Sequence, residues 1–156
     1  MSKIISGENT ISYFAEKIMA DKEIYHAPEL SKPLRFSIGI LLAIVALNAF
    51  AGSFYGMSGA KNVPVEWLSG TPFSTYFLPS LFLFLIVGGC SLFAAIAIFK
   101  KHPLGTNIAY VSASVIILWL IIQVIMIGYI SWMQPATAIV ALLIIFLTTL
   151  SSANAV

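Results

Sequence analysis

Charged side chains are scarce in this sequence: Asp, Glu, Lys and Arg supply 9% of its 156 residues, against 60% hydrophobic ones. A soluble domain carries roughly 25% charged and about 45–50% apolar residues. This chain lacks the polar surface to stay dissolved, and a bilayer is its natural solvent. Cysteine is nearly missing as well. Cys90 stands alone inside an apolar run, which excludes a disulfide framework and a cysteine-based metal site. The net charge is only +2, without a basic run, so nothing points to nucleic acid. No early apolar segment with a small-residue cleavage site is visible, so the first long apolar run is expected to serve as the membrane anchor.

The absences continue inside the apolar runs. Ten of the fourteen charged residues precede Phe36; the others are Lys61, Glu66, Lys100 and Lys101. The middle of every run is therefore free of Asp, Glu, Lys, Arg and His. Proton relays, ion-coupled carriers and voltage sensors need such groups at membrane depth, so a proton-coupled pump built from this chain alone is not expected. Neither G-x-x-x-x-G-K-[ST] nor G-x-G-x-x-G occurs. Ser69 and Ser74 have no histidine near them, which leaves triad chemistry unsupported. His26 and His102 have no second ligand at metal-binding spacing. Neither a metal nor a cofactor is expected.

What is there is four apolar segments, at about 36–54, 77–99, 107–130 and 132–150. Each is near the ~20 residues that cross a hydrocarbon core of about 30 Å, and in lipid such spans are helices. The fold expected is all-α: a four-helix transmembrane bundle over 34–156, preceded by a cytoplasmic amphipathic segment over 1–33. Lys32 and Arg35 flank the first span, and Lys100, Lys101 and His102 lie between the second and third. The positive-inside rule puts these, and both termini, in the cytoplasm.

The N-terminal segment carries Ile11, Phe14, Ala15, Ile18 and Met19 at helical spacing on one face. Asn9 or Thr10 is the expected cap, and Pro28 and Pro33 the link to the first span. The balanced charge of the segment argues against a polybasic lipid clamp. Its stripe suits the membrane surface, the underside of the bundle, or docking to another protein. In the 55–76 connection, Pro64 to Leu68 suits one short helical turn, and Trp67, Phe73 and Tyr76 suit headgroup-level anchors. Thr71–Pro72 reads as a helix cap with proline at the first helical position. Pro79 then either bends the second helix or begins it.

Helices in lipid associate through close packing and a few polar contacts. Gly39, Ala43 and Ala46 form one stripe of small residues, and Gly88, Ser91 and Ala95 another; both are expected to face other helices. Asn48 and Gln123 are the deepest amides, with Gln123 on the helical face of Ser112, Ile116 and Trp119. They serve either as helix–helix adhesion or, with Trp119, as the lining of a polar pocket that opens outward.

The segments WLSGTPF (67–73), FLPSLFLFLIVGG (77–89), KHP (101–103) and LWLIIQVIMIGYISWMQP (118–135) cover under half of the chain. In layout they resemble the small four-span bacterial membrane proteins grouped as DoxX-like. The resemblance implies the same topology and brings no catalytic residues with it. The function expected from all this is that of a non-catalytic inner-membrane accessory subunit, in contact with the lipid bilayer and with another membrane protein. The alternative is a small carrier or channel for a neutral or apolar molecule, acting as a homo-oligomer. A membrane enzyme ranks third, because Tyr129, Glu66 and the two histidines are its only material.

Overall fold

The computed structural model describes residues 5–24, 31–129 and 131–153. Among these no strand forms, and four helices are long and apolar enough to cross a membrane: Lys32–Met57, Phe77–Phe99, Gly105–Ile127 and Met133–Ala153. They make an antiparallel four-helix bundle. The first span packs on the second and fourth, and the third closes the ring between those two. An N-terminal helix, Ile5–Ile24, precedes the bundle.

Boundaries moved where capping chemistry outweighed hydropathy. The first span begins at Lys32 rather than Phe36. Pro33 lies in its first turn, where a missing N–H has no partner to lose, so this proline starts the span instead of linking to it. The third span ends at Ile127, three residues early, because Gly128 turns the backbone to φ +76°. The fourth runs on to Ala153. Asn9 and Thr10 lie within the N-terminal helix, which begins earlier than their capping role required. Pro28 and His26 fall outside the described residues.

The Thr71–Pro72 cap does not form. The Thr71 hydroxyl instead donates to the Leu68 carbonyl at 2.9 Å and accepts from the Phe73 N–H at 3.3 Å, an isolated turn. The second span starts at Phe77, which places Pro79 in the first turn and removes the need for a bend. The irregularity comes later, as one π-helical stretch over Leu83–Gly88 in which the Gly89 N–H reaches back to the Phe84 carbonyl. There Phe84 packs between Phe50 and Phe54, with ring centroids 4.7 and 6.0 Å away.

A glycine from each stripe of small residues faces the other of the first two spans. A methyl group on Gly39 would lie 2.6 Å from the tip of the Phe99 ring, and one on Gly88 would lie 2.6 Å from the Phe50 ring. Each span thus offers a glycine hollow to a phenylalanine of the other, the close approach that lipid-embedded helices rely on. Toward the Lys100–Lys101 end the core is Ile38, Leu42, Ala94, Ala95, Ile98, Ala109, Ala113 and Ile144. Toward the opposite end it is Val45, Ala49, Val87, Ile116 and Ala141. Ser91 turns from the first span to the third, where its hydroxyl is 3.4 Å from that of Ser112, both fully buried. Such a contact between spans is worth about 0.6 kcal/mol.

Candidate ligand cavity

The bundle splays at the end that carries the 58–76 connection. Two adjoining cavities, of about 560 and 320 Å³, open there. Each helix delivers its part by register. The first span places Asn48 and Gly52 in the wall, the second Leu83, and the third Trp119 and Gln123. Ser112, Ile116, Trp119 and Gln123 do share one inward face: the first two are buried and the last two half-buried. Gln134, at the start of the fourth span, also lies in both walls; its Nε2 donates to the Gly128 carbonyl at 3.2 Å and braces the short link between third and fourth spans.

The structure therefore gathers Asn48, Trp119 and Gln123 around one cavity. Neither amide makes a hydrogen bond within the described residues, so the geometry gives them no adhesive role between helices. Gly88 and Ser91 lie outside the walls and serve packing. Trp119 Nε1 is, among the described residues, the one buried side-chain polar atom without a hydrogen-bond partner. An unmatched buried donor costs about 1–3 kcal/mol, and that cost is unrelieved within the fold.

The 58–76 connection roofs the larger cavity. Val65–Leu68 forms the expected short turn, as a 3-10 helix, with Leu68 buried against the third span. The Tyr55 hydroxyl donates to the Lys61 carbonyl, and the Tyr76 hydroxyl to the Pro64 carbonyl at 2.7 Å. Burial first, and the Glu66 carboxylate second, push the Tyr76 hydroxyl above its ordinary value near 10 and keep it a neutral donor. Trp67 and Phe73 line the larger cavity, a role that interfacial aromatic enrichment in the sequence did not distinguish from anchoring. The roof and the Gly52 opening were not legible in the sequence. The only signal was the density of aromatics in 54–77.

At the other end His102 organises the turn after the second span. Its Nδ1 accepts the Leu104 N–H at 3.2 Å, and its own N–H caps the Ala97 carbonyl at 2.9 Å. No group of three or more His, Cys, Asp or Glu able to hold a metal occurs among the described residues. Among the described residues, neither cavity wall contains Asp, Glu, Lys, Arg or His.

The class that fold and site define is a multi-pass helical membrane protein with an apolar cavity at one end of its bundle. No family model, curated protein or solved structure matches the chain.

Proposed function

We propose that the chain is a non-catalytic accessory subunit or interaction partner of a membrane complex in a bacterial inner membrane. The observation that supports this best is the N-terminal helix. Its stripe stays uncovered, with Ile11 71%, Phe14 57%, Ile18 60% and Met19 67% exposed and only Ala15 half-buried. Among the described residues the helix makes no extensive contact with any span. Such a face suits the membrane surface or a partner protein, and docking to a partner through these five residues is the reading we take. The DoxX-like layout agrees with it and adds no chemistry.

In this reading Lys32, Arg35, Lys100 and Lys101 mark the cytoplasmic side, and the cavity opens on the opposite one. A chain carrying Ser58→Cys in a Cys90→Ser background should then react with an impermeant thiol reagent in intact cells. Labelling only after lysis would reverse the topology. Deleting residues 1–25 should abolish co-purification of the partner from mild detergent while leaving membrane insertion unchanged. Association that survives the deletion removes the helix as the docking element.

A second reading, a carrier for a small neutral molecule acting as a homo-oligomer, is favoured by the cavity. Four helices enclose too little space for a continuous path, so its route would run between copies.

A further inference from the structure

We infer that the paired cavities form a binding site for a neutral, mainly apolar molecule bearing one hydrogen-bond acceptor oxygen, such as a ketone, ester or ether. The inference deepens the carrier reading by naming a ligand class, and it requires binding only, not passage.

Four observations carry it. The volumes, about 560 and 320 Å³, fall in the ~300–1,000 Å³ range of small-molecule sites. The walls hold no group of either charge, so an ionic ligand would be desolvated without a counter-ion. The amides that do reach the walls, Asn48 and Gln123, are neutral and make no hydrogen bond within the described residues. Trp119 lines both cavities, and its Nε1 is unmatched. An indole N–H can only donate, so the partner it lacks is an acceptor. Nε1 has almost no exposed surface as the indole stands, so pairing with a ligand oxygen requires the indole to turn toward the cavity.

Gly52 fixes where the ligand lies. It belongs to both walls, and a Cβ there would meet only Leu83 Cδ2, at 3.7 Å. At this one position of the first span the missing side chain leaves open space, in contrast to Gly39, Gly56 and Gly88, where it admits a neighbour. The two cavities adjoin at it. Above them Trp67 and Phe73 close the larger one, and Trp132 borders the smaller. All three tryptophans of the chain thus surround the site, which gives it an intrinsic optical reporter.

Benzophenone suits as the probe. It is a neutral ketone with an apolar body, and on illumination it inserts into nearby C–H bonds without a leaving group. With the full chain in phospholipid nanodiscs, labelling should saturate and map to residues 44–56, 60–87 and 116–140, which supply the walls, with tryptophan emission changing in parallel. Diphenylmethane, of similar shape but without the oxygen, should compete about tenfold less well, the worth of one net hydrogen bond. Trp119→Phe should keep the melting temperature and erase that tenfold preference. Gly52→Leu should keep or raise the melting temperature and block both compounds. Labelling that never saturates and spreads over the lipid-facing side of all four spans overturns the site. So does a ketone preference that survives Trp119→Phe. Saturable binding without liposome flux removes the carrier reading and leaves the site standing, whereas flux without labelling of these walls does the reverse.

Discussion

Gly88→Leu is expected to lower stability by about 2–3 kcal/mol, the cost of overpacking a close contact, and the melting temperature in detergent by about 5–10 °C. The Phe50 ring stands 2.6 and 2.8 Å from where the first added carbon must go. Its retreat is opposed by Phe84, whose tilted ring lies 4.7 Å away. The helices must therefore part, and in lipid no hydrophobic force pulls them back together. Phe50→Ala in the same chain should recover much of the loss, which makes the pair a double-mutant cycle. A melting temperature unmoved by Gly88→Leu would mean that the first and second spans do not pack in this register.

Gly56→Leu should cost at least as much, about 3 kcal/mol. An added Cβ would sit 1.8 Å from Ser80 Oγ and 2.9 Å from Ser80 Cβ. Rotating the Ser80 hydroxyl about χ1 relieves the first contact but not the second, which is to Cβ, and the Ser80 N–H is itself held by the Tyr76 carbonyl at 3.1 Å. The backbone has to move, at the point where the first span hands over to the roof of the cavity. Ser80→Gly should relieve Gly56→Ala, read as recovery of thermal stability; no recovery would place the strain elsewhere. Gly39→Ala is expected to be milder. There the contact is the tip of Phe99, an exposed ring that can rotate out of the way.

These glycines show how far sequence reasoning reached. Spacing identified Gly39 and Gly88 as members of packing stripes, and each of the two receives a phenylalanine of the other span. Spacing could not rank the glycines. Gly39, Gly52, Gly56 and Gly88 look alike in the chain, yet one meets a mobile ring, one open space, one a serine and one a trapped ring. What separates them is the side chain across the interface, contributed by a residue 24 to 60 positions away.

The candidate site was legible in the same partial way. A period of 3.6 put Trp119 and Gln123 on the face of Ser112 and Ile116, and that face is inward. The same reasoning left two fates for Asn48 and Gln123, adhesion or cavity wall. An amide's choice between them depends on whether a partner stands within about 3 Å, and none does. Thr71–Pro72 misled for a comparable reason. The pair fits a helix start locally, but the hydroxyl found a nearer acceptor in the turn closed by Leu68.

The sequence by itself determined that this protein spans a membrane four times as helices. Charge is too scarce for water, and backbone polar groups in lipid have no partner but their own helix. It also determined the small-residue stripes through which the first two spans meet, because only small side chains let backbones approach in lipid. Tertiary structure alone decided that the bundle opens at one end into two adjoining cavities, that the 58–76 connection folds over the larger, and that the buried Trp119 N–H is left unmatched beside them. Those features depend on distances between residues on different helices, which hydropathy and periodicity along one chain do not encode.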